Sequence, residues 1–251
     1  MGTVIITGGN DGIGYYMVER FLSDGKNVAV LDIELNKITE LMKQYPDSLV
    51  GFQCDIRDVV KLKSCLNEVV KKFKTIDYAI HNACMCIFKS LEELSYEEYN
   101  EVFQVNFYGA INLTKEVLPY MKKQKNGKIF FTSSGVGVTG FTNISSYASS
   151  KGAIESFAKC MNIEYESSGI SFHILHPPLT RTKSSEPLPV PKEFKADACK
   201  VGNGLAKNID KNKFIICHSF SQALQTKVAY LFPLYVGRMM AKMTSRAKVK
   251  E

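Results

Sequence analysis

A chain of 251 residues with 45% apolar and 23% charged side chains has the material for one sizeable α/β domain. It shows neither repeats nor low-complexity tracts, and no uninterrupted apolar run of about 18 residues marks a membrane span. The formal charge of +7 favours anionic partners such as a dinucleotide, an acidic metabolite or an anionic membrane surface, and does not single out nucleic acid. Seven cysteines in no framework spacing, in a chain that enters its first strand almost at once, set the expectation of a reducing, cytoplasmic compartment. Cys84 and Cys86 lack the spacing of a zinc or redox pair and the four histidines are scattered, so no metal is expected.

Thr3 to Thr7 is a short β-branched run that ends directly in Gly8, Gly9, Asn10, Asp11, Gly12, Ile13 and Gly14. The helical pattern that follows carries Met17, Val18, Phe21 and Leu22 on one face. Strand, glycine-rich turn and helix together form a seat for a pyrophosphate. Gly8 permits the tight turn, Gly12 admits the backbone to the phosphates and Gly14 lets the helix pack on the strand. Asn27 to Leu31 is the second strand. It is closed by Asp32, which stands where an acid meets an adenosine ribose; the competing use of Asp32 is as a cap for a helix beginning near Asn36.

A third strand, Leu49 to Cys54, leads to Asp55 and Ile56 and a helix over Asp58 to Phe73. A fourth, Ile76 to Ile80, leads into His81, Asn82, Ala83 and Cys84. A long helical segment from about Tyr96 to Lys123 carries Asn106 near its middle and is interrupted in register only at Gly109 and Pro119. Lys128 to Thr132 is the fifth strand, with Ser133 and Ser134 at its carboxyl end, where open parallel sheets place their ligands. The next helix spans Ser145 to Ser168. A sixth strand over Ile170 to Leu175 ends in His176, Pro177 and Pro178, and a helix near Ala196 to Asn208 and a strand at Lys213 to Cys217 complete the alternation. Regular alternation predicts a doubly wound α/β fold with helices on both faces of a parallel sheet, occupying residues 1–218 as one domain.

Within the helix from Ser145, Tyr147 and Lys151 stand four apart on one face. Bringing a phenol from a pKa of about 10 to about 7 takes roughly 4 kcal/mol, and one cation about 5 Å away at an effective dielectric near 20 supplies roughly 3 kcal/mol. The pair is therefore a candidate proton-transfer device, although a tyrosine beside a solvated lysine is the commoner meaning of that spacing.

In combination these residues are recognisable. The glycine-rich turn, Asp55, Asn82-Ala83, Asn106, Ser134 and Tyr147 with Lys151 follow the order and spacing of the single-domain short-chain dehydrogenase/reductases, which the chain resembles over residues 1 to about 217. The resemblance implies a Rossmann fold with a seven-stranded parallel sheet, a nicotinamide dinucleotide and a carbonyl or alcohol substrate. It implies Tyr147 as general acid/base, Lys151 lowering its pKa and holding the nicotinamide ribose, Ser134 bonding the substrate oxygen, and Asn106 helping to hold a water that relays protons through Lys151. Gly8, Asn10, Asp11, Gly12, Ile13, Gly14, Asp32, Asp55, Ile56, Asn82, Ala83, Pro177 and Thr182 would join Tyr147 and Lys151 around the cofactor, with Asp55 at the adenine amine and Thr182 at the carboxamide. Asp32, and Asp11 where phosphate-preferring relatives carry a basic residue, point to NAD(H) over NADP(H). Homo-oligomers are expected through the helices near Tyr96 to Lys123 and Ser145 to Ser168. A binding-only regulator is the rival reading, and an epimerase or dehydratase would need a larger substrate domain.

Three positions depart from the family pattern. His81 and Cys84 flank Asn82-Ala83 where the family has Asn and Gly, Pro178 stands for a glycine, and residues 219–251 form a basic, apolar tail in place of a glycine-rich end. The tail and double proline are similar to those of the 3-ketodihydrosphingosine reductase branch, which implies a hydrophobic substrate. In the tail, Leu224, Val228, Leu231, Tyr235, Met239 and Met243 recur at three- and four-residue steps beside Lys227, Arg238, Lys242, Arg246, Lys248 and Lys250, with Glu251 as the sole acid from Ser221 onward. This is an amphipathic helix bent at Pro233. Its apolar stripe has two candidate uses, packing on the substrate rim or a second subunit, or peripheral contact with an anionic membrane.

Overall fold

The computed structural model describes residues 2–188 and 190–248, the last four of these as backbone alone. Seven strands form one parallel sheet in the order β3-β2-β1-β4-β5-β6-β7: β1 Thr3–Thr7, β2 Asn27–Asp32, β3 Leu49–Gln53, β4 Tyr78–His81, β5 Gly127–Thr132, β6 Ile170–Leu175 and β7 Ile215–Ile216. The strand order reverses between β1 and β4, and the crevice beyond their carboxyl ends is where such a sheet takes a ligand.

Helices α1 Gly12–Ser23, α2 Thr39–Gln44, α3 Val59–Phe73, α4 Tyr96–Phe103 and α5 Gly109–Gln124 precede β5. After it come α6 Val136–Thr139, α7 Ser145–Glu164, α8 Ala198–Asn208, α9 Phe220–Leu231 and α10 Pro233–Lys248. Alternate residues of the strands face opposite layers. Ile5, Leu31, Ile129, Phe131, Phe172 and Ile174 meet α3, α5 and α7 on one face. Val4, Ile6, Val30, Ile80 and Phe130 meet α1 and α8 on the other. Side-chain caps set several helix starts: Asp58 accepts from Lys61 N at 2.9 Å, Ser95 and Glu98 form a capping box, and Asp197 accepts from Lys200 N at 3.0 Å.

Two expectations are corrected, and one rival reading falls. The segment from Tyr96 runs helically through both Gly109 and Pro119, and its irregularity is a π-type turn over Gln104–Tyr108, where Gly109 N–H reaches back to Gln104 O. The helix bearing Tyr147 ends at Glu164, and residues 165–168 form a turn into Gly169, whose φ of 74° and approach to Lys125 O exclude a side chain. Asp32 caps no helix: its carboxylate accepts Asn10 N–H and Glu34 N–H, and α2 starts only at Thr39.

The C-terminal stretch bends where expected, with Pro233 opening α10. It lies against α6. Ala229 is buried, and a Cβ on Gly237 would sit 2.5 Å from Thr139 O, so α10 meets α6 at backbone contact. Lys250 and Glu251, and the side chains of Arg246 and Lys248, lie outside the described residues. Among the described residues no helix is long and apolar enough to cross a membrane, and no group of three or more His, Cys, Asp or Glu could hold a metal ion.

Candidate active site

A groove of about 1170 Å³ runs over the carboxyl ends of β1, β2 and β4 to β6. Gly8, Asn10, Asp11, Gly12, Ile13, Asp32, Asp55, Ile56, Asn82 and Ala83 line one half; Ser134, Tyr147, Lys151 and Pro177 line the other, and Thr182 stands against Gly12, its Cγ2 3.0 Å from where a Cβ on that glycine would sit. Of the expected site residues only Gly14 and Asn106 stay behind its wall.

The nucleotide half is held by contacts that leave no room for side chains. Gly8 and Gly12 take φ of 66° and 58°; a Cβ on Gly8 would lie 2.7 Å from Ala83, and one on Gly14 2.0 Å from Gly8 O. The first-turn amides of α1 have no intrahelical partners; that of Gly12 is taken by Asp11 Oδ1 at 2.6 Å, and those after it are left as a seat for phosphate. The residues present therefore fit a dinucleotide. Asn82 Nδ2 donates to Gly8 O at 2.8 Å, and the amides of Asn82 and Ala83 donate to Thr7 Oγ1 at 3.1 and 3.2 Å.

Asn10 is engaged inside the protein, its Oδ1 accepting Lys37 N–H and Ile38 N–H, so the part it offers the groove is limited. Asp11 caps α1 and pairs with Lys37 at 2.6 Å. Burial raises its carboxyl, but Lys37 and the Gly12 amide together bring it below the ordinary value. Burial raises the Asp32 carboxyl against the amides of Asn10, Glu34 and Ile33. Asp55 is clasped by Arg57 at 2.6 Å, which lowers its carboxyl.

In the reacting half, Lys151 is 1% exposed, donates from Nζ to Thr132 O at 2.8 Å and stands 5.5 Å from the centre of the Tyr147 ring. Burial lowers its ammonium. Burial also holds the Tyr147 phenol well above its ordinary range, as do the thiols of Cys84 and Cys86, while a hydrogen bond with Ser134 pulls it down. The expected lowering of the phenol by Lys151 is therefore not met: enclosure dominates, and the phenol is kept protonated, as a donor.

Asn106 lies in the π turn, wholly buried. Its side chain accepts Met85 N–H at 2.7 Å and donates to Met85 O and Ser150 Oγ at 2.9 Å, tying the loop after β4 to α7. Its carbonyl accepts from His81 Nε2 at 3.0 Å. A carbonyl cannot donate, so Nε2 carries the proton and Nδ1 accepts from Thr7 Oγ1 at 3.1 Å. Burial, then the charge of Lys151, brings His81 down to about 3, so it stays neutral. The side chain of Asn106 is thus a structural tie and its carbonyl is engaged by His81, behind the wall of the groove.

Sequence reasoning missed a second chain of contacts. Ser133 donates to Glu155 Oε1 at 2.6 Å, and Tyr230 of α9 donates to Glu155 Oε2 at 2.5 Å. The buried His176 ring stands 3.8 Å from Glu155 and is kept neutral by burial. Nothing local in the sequence flags Glu155 or Tyr230, which meet across 75 residues. The far wall of the groove is built as one of the two uses expected of the tail has it, at the substrate rim: Met239 and Met243 of the stripe line it, joined by Gln225, Thr226, Val236 and Met240 of α9 and α10, with Val136, Phe141 and Ile144 also in the lining.

A family model described as short chain dehydrogenase matches residues 2–191. A fatty acyl-CoA reductase of Acinetobacter baylyi is 28% identical over 193 residues, 75% of this chain and 65% of that protein. The 3-oxoacyl-(acyl-carrier-protein) reductase FabG of Thermotoga maritima is 30% identical over 188 residues, 74% of this chain and 76% of that protein. Among solved structures, a short-chain dehydrogenase from Streptomyces avermitilis superposes with a TM-score of 0.81 over 98% of both chains at 20% identity. A 3-ketoacyl-(acyl-carrier-protein) reductase from Brucella melitensis complexed with NADH gives 0.76 at 21% identity over 83% of this chain and 88% of that one. ElxO with NADP bound gives 0.76 at 24% identity over 86% and 94%.

Proposed function

The chain belongs to the short-chain dehydrogenase family and is on that footing an NAD(P)-dependent oxidoreductase; we propose that it interconverts a hydrophobic ketone or aldehyde and its alcohol, with Tyr147 as the general acid/base and NAD(H) as the preferred dinucleotide. The observation that carries this reading is the convergence of Ser134, Tyr147 and Lys151 on one groove with the glycine turn. The binding-only alternative finds no support, since a regulator needs the turn and not this set.

A bound nicotinamide would supply or accept the hydride. The chain's residues do the rest. Ser134 donates to the substrate oxygen, and Tyr147, held protonated by burial, gives that oxygen its proton in reduction and removes it in oxidation. Lys151 is anchored by Thr132 O, with its charge beside the phenol as the proton leaves. The first-turn amides of α1 would hold the pyrophosphate and Asp32 the adenosine ribose.

The wall of Val136, Phe141, Ile144, Val236 and Met240 supports a hydrophobic substrate, as do relatives named for acyl carbonyls. We place the enzyme in the cytoplasm, as a homo-oligomer through α4, α5 and α7, where Tyr96, Tyr108 and Ile163 are exposed, with its C-terminal extension at a membrane surface. The test is Tyr147→Phe. It is expected to leave dinucleotide binding intact and to cut kcat by about a thousandfold or more; retention of a few per cent of kcat would end the assignment.

A further inference from the structure

The tail's apolar stripe could have been buried against the catalytic domain, yet the helices pack the other way round. Thr226, Ala229, Tyr230 and Gly237 face inward, and Phe220, Leu231, Phe232, Leu234 and Tyr235 are 59–87% exposed. Of the seventeen large apolar side chains exposed among the described residues, nine fall between Phe220 and Met243, far denser than scattered surface apolars require. Between Ser219 and Thr244 the formal charges are Lys227, Arg238 and Lys242, with no acid. Met239 and Met243 line the groove and are also 44% and 50% exposed, so the groove reaches the surface on this face.

We propose that the outward face of α9 and α10 docks on an anionic bilayer and that the groove opens onto that bilayer between Met239 and Met243. Charge selects the occupant. A twofold contact with a second copy would set three cations of each chain against the same three of the other, whereas an anionic lipid surface complements them while the acyl region takes the exposed rings and leucines. The portal half of the proposal rests on the hydrophobic-substrate reading; the docking half does not.

The experiment is sedimentation of the whole protein with vesicles of phosphatidylcholine plus phosphatidylglycerol, and with phosphatidylcholine alone, at low and high salt. Binding is expected to the anionic vesicles at low salt and to weaken at high salt. Lys227→Gln and Arg238→Gln should each weaken it about fivefold. Combining Leu231→Ser, Leu234→Ser and Tyr235→Ser should abolish it while dinucleotide titration, which reports the fold, is unchanged. No binding at low salt overturns the proposal, as does a dimer that the triple-serine variant converts to monomer without any vesicle binding. Docking requires no turnover. A protein that sediments but reduces no carbonyl would sink the oxidoreductase reading and leave the surface; one that reduces soluble ketones but never sediments would do the reverse.

Discussion

At the scale of single residues, the site is organised by what burial does to proton affinities. Enclosure raises the Tyr147 phenol and lowers the Lys151 ammonium and the His81 imidazole, so the phenol stays protonated and the imidazole neutral. Reduction needs the phenol and oxidation the phenolate. The carbonyl-reducing rate should therefore be flat from about pH 6 to 9, where the protonated form persists, while the alcohol-oxidising rate should rise with pH across the same range, as steady-state profiles in both directions would show. An oxidation rate falling with pH would contradict it. Tyr230 acts at one remove: burial and then Glu155 keep it protonated, so it donates to the carboxylate that also holds Ser133, the neighbour of Ser134. Tyr230→Phe removes one charge-assisted bond worth roughly 1.5 kcal/mol, and about a tenfold fall in kcat at unchanged dinucleotide KM is expected. A variant with a lowered Tm and an unaltered kcat would reduce Tyr230 to a packing role.

At the scale of elements, the π turn between α4 and α5 decides where Asn106 points. One extra residue in the turn carries its side chain to Met85 and Ser150 and its carbonyl to His81, linking three segments of the site. The C-terminal helices contribute differently. They lie beyond the matched family region, yet α9 and α10 form the far wall of the groove. A chain ending at Ser219 should keep dinucleotide affinity within a few fold and lose roughly 10- to 100-fold in kcat/KM for long-chain carbonyls, the equivalent of one fully buried apolar side chain at about 1.5–3 kcal/mol, since the wall side chains are only partly covered by a substrate. Equal kcat/KM for long and short ketones before and after truncation would show that the wall touches no substrate.

For the molecule as a whole, the strand order divides labour: β1, β2 and β4 with α1 hold the nucleotide half, and β5, β6, α7 and the extension build the reacting half. The two should be separable. On the proposed reading cofactor choice is set by Asp32, with the Asp11–Lys37 pair, Arg57 and Lys183 among the other charges on that half of the groove. A 2′-phosphate beside Asp32 meets a repulsion of roughly 3 kcal/mol at about 5 Å and an effective dielectric near 20, so NADPH should bind about a hundredfold more weakly than NADH by calorimetry. Equal affinities would overturn the preference for NAD(H).

The fold and the lining of the groove were legible in the residues themselves because they are written at short range. Gly8, Gly12 and Gly14 are demanded by one turn, and Tyr147 and Lys151 by one helical face; apolar alternation sets strands and helices, and right-handed crossovers then leave few sheet orders. What the sequence could not disclose depends on pairs remote along the chain. His81 with Asn106, Ser133 and Tyr230 with Glu155, and the choice of which face of α9 turns outward are settled by packing between elements. An amphipathic period shows that a stripe exists without saying what it meets. Only the assembled sheet, by taking Ala229, Tyr230 and Gly237 inward, left the stripe of Leu224, Leu231 and Tyr235 to the outside.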